Sequence, residues 1–155
     1  MHPRAVELID LLQLQAHPEG GYYRRLYESR ECLPSGRLLA SAIVFLLPAG
    51  QLSRWHRVDA DELWHFYEGA PLELLIADTP AAIERQLLGP VAAQMLPQRL
   101  VRAQAWQAAR SQGDFSLVGC SLAPGFEFAG FALLADEPQV QRDWPLLAAQ
   151  YPELV

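Results

Sequence analysis

The sequence predicts an all-β domain, a β-sandwich or barrel with a short helix at each end, and three observations carry that reading. Short apolar or alternating runs succeed one another from Tyr22 to Leu134, in the length and pattern of strands. The 12 prolines and 10 glycines fall mostly at the borders of those runs, where they punctuate turns. A hydrophobic fraction of 51% beside 19% charged residues belongs to a chain with a packed core.

The first element is helical, because Val6, Leu8, Ile9, Leu11, Leu12 and Leu14 recur three and four apart and Pro3 suits a first helical turn. His17-Pro18-Glu19-Gly20-Gly21 ends it. Strands are then expected over Tyr22–Tyr27, Leu38–Leu47, Leu52–His56, Leu63–Tyr67 and Leu72–Ala77. The second half continues with Ile83–Leu88, Val91–Leu96, Leu100–Trp106, Phe115–Leu122 and Phe126–Leu134, broken by Gly89-Pro90, Pro97, Gln112-Gly113-Asp114 and Pro124-Gly125. Asp143-Trp144-Pro145 caps a last short helix toward Gln150.

With 155 residues the chain has the size of one domain, read as residues 1–155. A net charge of −6, a pI near 5.1 and no basic cluster beyond Arg24-Arg25 argue against a nucleic-acid partner. No apolar run has the length a bilayer demands and the first residues lack a signal pattern, so a cytoplasmic protein without a membrane partner is expected. Cys32 and Cys120 show no C-x-x-C spacing and are expected as free thiols.

The chemistry gathers between Gly50 and Gly69, where His56, Val58 and Glu62 are spaced around the turn Asp59-Ala60-Asp61. Alternation puts Glu62, Trp64 and Phe66 on one face of the following strand, and Leu63, His65 and Tyr67 on the other. His65 is therefore read as a packed or interface histidine. The Gly50–His56–Val58–Glu62–Gly69 spacing resembles the first cupin motif with valine in place of its second histidine. Three further runs, His17–Arg24, Trp106–Ala109 and Leu117–Phe128, together with Asp61–Gly69, resemble one small single-domain cupin subfamily of unassigned function, and the likeness covers roughly residues 5 to 150.

That resemblance implies a jelly roll, a homodimer and a small-molecule pocket at the mouth of the barrel. It also implies a metal set of three histidines and a glutamate, of which His56 and Glu62 remain, while Val58 and Gln107 stand at the other positions. No cofactor is expected; a divalent metal, if held at all, would be held weakly by His56, Glu62 and Gln107. The second motif is altered as well, with Arg102-Ala103-Gln104 where Pro-x-Gly belongs.

His56 and Glu62 are the catalytic candidates, an imidazole that titrates near neutrality and a carboxylate to hold or raise it. Glu62 has a second reading as the ion-pair partner of Arg54 or Arg57. Tyr23, Arg24 and Arg54 are candidates for holding a ligand's carboxylate or phosphate; Trp64, Phe66, Trp106, Gln107 and Phe128 are candidates for lining the pocket. His17 and Glu19 are read as a structural turn first, with Gly20-Gly21 supplying positive φ. Three functions remain open at this point: a metal-independent isomerase or epimerase acting on a sugar-like or carboxylate-bearing molecule, a binding or sensing module without chemistry, and a metal-dependent dioxygenase.

Overall fold

The computed structural model describes residues 1–155. In chain order the elements are α1 (Pro3–Leu12), β1 (Gln15–Ala16), β2 (Tyr22–Glu28), β3 (Ser41–Pro48), β4 (Leu52–Val58), β5 (Asp61–Gly69), β6 (Leu72–Thr79) and β7 (Ala82–Leu88). They continue with β8 (Met95–Leu96), β9 (Gln98–Val101), β10 (Trp106–Ser111), β11 (Phe115–Ala123), β12 (Phe131–Leu133), α2 (Pro138–Asp143) and α3 (Pro145–Gln150). One sheet has the order β1-β2-β3-β11-β5-β9 and the other β12-β4-β10-β6-β7-β8. They stack as a jelly-roll sandwich with short helices at both ends, the expected fold.

Three layers of apolar packing hold it. Phe45, Leu47, Val58, Trp64, Leu74, Val101, Val118 and Leu122 fill the space between the sheets. Trp55, Leu75, Trp106, Leu134, Leu147 and Leu154 bury the outer face of the second sheet under the C-terminal segment. Helix α1 covers part of the first sheet's outer face through Ala5, Leu8, Val44, Leu46 and Leu117, leaving Leu63, Tyr67 and Leu100 exposed beyond it. No helix is long and apolar enough to cross a membrane.

Three expected strands differ. Of Val91–Leu96 only Met95–Leu96 forms a strand, with Ala92 bridged to Met95; Val91 is 78% exposed, so apolar character here had no face to bury against. The expected Leu100–Trp106 strand is split by a turn in which Gln104 takes φ 71°. There Asp61 accepts the Ala103 N–H at 2.9 Å and the Arg102 guanidinium at 2.9 Å, so a side-chain carboxylate holds the turn that Pro-x-Gly would otherwise make. The Phe126–Leu134 strand shortens to β12, because Phe128–Gly130 forms a 3₁₀ turn. Both cysteines are free thiols, Cys32 exposed and Cys120 buried.

Candidate active site

The turn between β1 and β2 delivers the first functional side chains. His17 N–H donates to Gly21 O and Gly20 N–H to His17 O, both at 3.0 Å, and Gly20 and Gly21 have φ of 113° and 73°. A Cβ on Gly21 would sit 2.8 Å from the Phe45 ring and 2.9 Å from the Leu46 carbonyl, so the close approach as well as the backbone angle requires glycine. The Arg54 N–H donates to Glu19 O at 2.9 Å, tying this turn of one sheet to β4 of the other. Glu19 is thereby swung into the interior, where it is 6% exposed.

A bulge on β4 aims two side chains at it. The β4–β10 register runs His56↔Gln107 but Ser53↔Ala109, giving β4 one extra residue. Ser53 and His56, which strict alternation would put on opposite faces, therefore both face inward. The Ser53 hydroxyl donates to Glu19 Oε1 at 2.8 Å. His56 Nε2 lies 3.2 Å and His17 Nδ1 3.5 Å from Glu19 Oε2.

Protons follow from these contacts. His56 Nδ1 is 2.7 Å from the Arg54 carbonyl and must donate to it, so in the neutral ring Nε2 presents a lone pair to Glu19. His17 Nδ1 accepts the Glu19 N–H at 3.3 Å, so it has no proton to give the Glu19 carboxyl. Burial raises the Glu19 carboxyl and lowers both imidazoles, which favours the uncharged forms. A proton on Glu19 Oε2, donated to His56 Nε2, satisfies both partners.

Glu62 is buried on the same face. Gln107 donates its amide to Glu62 Oε2 at 2.5 Å and accepts the Trp64 indole N–H at 3.0 Å. Burial raises the Glu62 carboxyl, and raises the Cys120 thiol beside it well above its usual value. Glu19 is the carboxyl within hydrogen-bonding distance of His56, while Glu62 acts on the same imidazole through its charge, so the expected His56–Glu62 pairing is electrostatic and the direct contact is with Glu19. Neither arginine considered for Glu62 reaches it: Arg54 donates to Pro18 O and Arg57 lies over the Trp106 ring.

A small cavity of about 30 Å³ lies against these groups. His17, Glu19, His56 and Glu62 form its polar side and Ile43, Val58, Leu122, Phe126 and Phe131 its apolar side, with Tyr23 and Arg25 also lining it. Of the sequence candidates, His56, Glu62 and Tyr23 meet there. Gln107 stands behind Glu62, Trp64 is fully buried in the inter-sheet core, and Phe66 packs at the margin of that core. Phe128 is 58% exposed on an outer bowl that adjoins the cavity. Trp106 does not reach the pocket. It is the strand neighbour of inward-facing Gln107, so it points outward into the cluster under the C-terminal segment. Arg24, opposite in phase to Tyr23, donates to the Leu12 carbonyl at 3.1 Å; Arg25, in phase with Tyr23, faces the cavity instead. His65 is on the outer face with Ser121 and Gln98.

The residues at the motif's metal positions do not fit a metal set. Val58 has no donor atom, and the sole ligating atom of Gln107 already accepts from Trp64 while its amide occupies Glu62. No group of three or more His, Cys, Asp or Glu side chains is arranged to hold a metal ion.

The family described as "Cupin superfamily (DUF985)" matches residues 6–134. The chain belongs to the cupin superfamily. A solved protein from Shewanella oneidensis is similar to this cupin at 36% identity with a TM-score of 0.87, over 96% of this chain and 94% of that one. A hypothetical protein from Leishmania major is similar at 30% identity with a TM-score of 0.76, over 87% and 93%. Oxalate decarboxylase from Bacillus subtilis superposes with a TM-score of 0.63 at 14% identity, over 90% of this chain and 36% of that one, a likeness of fold alone. No curated protein matches this cupin.

Proposed function

We propose that the pocket is a metal-independent acid–base site that moves a proton on a small organic molecule, as an isomerase or epimerase does. The observation that carries this reading is the approach of His56 Nε2 to Glu19 Oε2 at 3.2 Å, with both groups buried at the wall of a cavity and no guanidinium or ammonium bonded to the carboxyl. Buried groups that burial pushes toward their neutral forms are suited to exchanging protons near neutrality. In the proposed step one of them accepts a proton from a carbon next to a carbonyl while another donates one to the carbonyl oxygen. Return of both protons with the positions changed completes the isomerisation with no net gain or loss.

The test is deuterium wash-in: small hydroxy-carbonyl compounds are incubated with the protein in D₂O and followed by NMR. His56→Ala is expected to slow exchange at the activated carbon by about 10²- to 10⁴-fold with its thermal unfolding transition retained. Chelation is expected to leave exchange unchanged. Exchange equal in wild type and His56→Ala, or lost on chelation and restored by a divalent metal, would overturn the reading. The apolar wall of Ile43, Val58, Leu122 and Phe131 supports a second reading, a binding or sensing module, whose signature is thermal stabilisation by a compound that is recovered unchanged.

A further inference from the structure

We infer that the ligand is a small organic acid, held at the mouth of the cavity by Arg25 with its carboxylate outward and its neutral end directed at the Glu19–His56 pair. This deepens the acid–base reading above and rests on it for the identity of the inner end, though not for the anion site itself.

The cavity and an outer bowl share Tyr23, Arg25 and Phe126, so the bowl opens onto the cavity past these three side chains. The inner volume of about 30 Å³ takes only a water-sized group, which leaves the body of any ligand in the bowl, against Tyr23, Phe126 and Phe128. Arg25 is the one cationic side chain lining either space; the other ionisable groups of the cavity are His17, Glu19, His56, Glu62, Tyr23 and Cys120, and the bowl adds Glu127. Its guanidinium lies over the Phe126 ring at 5.6 Å, a platform that holds the planar fork in place. One nitrogen donates to Glu28 at 2.8 Å and another reaches the Phe126 carbonyl only at 3.5 Å. With five N–H donors in the guanidinium, several remain for a ligand.

Charge then sets orientation. The floor carries two buried carboxyls, and the bowl is lined by the Arg25 guanidinium and by Glu127, so an anion is penalised at the floor and finds its one cationic partner at the mouth, in the free donors of Arg25. A single negative charge matches a single cation that already has an acidic neighbour. A phosphate, with its larger charge, would face Glu28 and Glu127 at the rim and Glu19 and Glu62 below. A planar carboxylate also matches the guanidinium fork through two parallel hydrogen bonds.

The experiment measures binding of glycolate, lactate and pyruvate, of their uncharged amides, and of inorganic phosphate, by ligand-observed NMR. The proteins compared are wild type, Arg25→Gln and Arg142→Gln, the last removing the same charge from an arginine on α2 that bonds only Gln139. At least one carboxylate is expected to bind wild type and Arg142→Gln alike, and to weaken roughly ten- to hundredfold in Arg25→Gln, with its amide weak throughout. No binding of any carboxylate to wild type, equal binding of acid and amide, equal weakening in both variants, or tighter binding of phosphate would each overturn the inference. Wild-type carboxylate binding that depends on Arg25, with no deuterium exchange in the bound acid, would sustain the anion site and defeat the acid–base reading. Exchange in neutral compounds that is indifferent to Arg25→Gln would do the reverse.

Discussion

Two regions of this cupin bury carboxyls equally deeply and treat them in opposite ways. On the outer face of the second sheet, the Glu73 side chain is 1% exposed and is gripped by Arg85 and Arg110, with Arg110 also reaching Glu153 of the C-terminal segment. In the cavity, Glu19 and Glu62 are buried to 6% and 5%; they accept from a serine hydroxyl and a glutamine amide, and Glu19 lies against two imidazoles. A carboxylate taken out of water must find compensating charge or lose its own. Glu73 has found two cations and serves as a clamp. Neither carboxyl of the cavity pair is bonded to a cation, and burial favours its protonated forms.

The sharpest way to break the comparison is at Glu73. Glu73→Ala leaves two guanidiniums without their shared partner and loosens Arg110, which also holds Glu153, and is expected to cost about 1 to 3 kcal/mol in urea unfolding, below the full cost of a broken buried pair because Arg85 and Arg110 are partly exposed. A cost within error of zero would mean the ion cluster contributes no more than a surface pair.

A second test reads the pH dependence of the cavity. Burial raises Glu19 and Glu62 above the ordinary value of 4.5, so above that pH the folded protein keeps protons that the unfolded chain has released. Stability therefore falls as pH rises through each raised value. His17 and His56 act in the opposite direction: lowered from 6.5 by burial, they cost stability as pH falls below that value. Glu62→Gln removes one carboxyl and keeps an acceptor for Gln107, so its Tm is expected to gain on wild type as pH rises above 4.5. A difference that stays constant across that range would remove the claim that Glu62 is held proton-loaded.

The smallest effect is expected at Ser53. Ser53→Ala removes the neutral donor to Glu19 Oε1, at a cost of about 1 kcal/mol, and raises the Glu19 carboxyl further, since that bond opposes the burial effect. Unchanged stability and an unchanged pH profile of exchange together would show that Ser53 does not position the acid.

Much of this was legible in the chain, for identifiable reasons. The inward phase of Glu62, Trp64 and Phe66 follows from the two-residue period of a strand, and β5 obeys it. The same period, applied one residue further, separates Arg25 from Arg24 and Gln107 from Trp106; choosing Arg24 and Trp106 as pocket residues neglected a signal that was present. The bulge on β4 had no such signal, because a single added residue leaves the apolar pattern of Leu52–Val58 intact while turning Ser53 and His56 to one face. Nor does the His17–Gly21 run disclose where its turn is docked: Glu19 reads as loop until a strand distant in sequence supplies Ser53 and His56.

The Arg54 N–H to Glu19 O bond joins the edge of one sheet to a strand of the other. The turn that carries Glu19 is thus pinned to the strand that carries His56, by the Arg54 N–H and the Ser53 hydroxyl, so the 3.2 Å between the two groups is set within β4's own frame and a shift of the first sheet would have to break these bonds before it parted them.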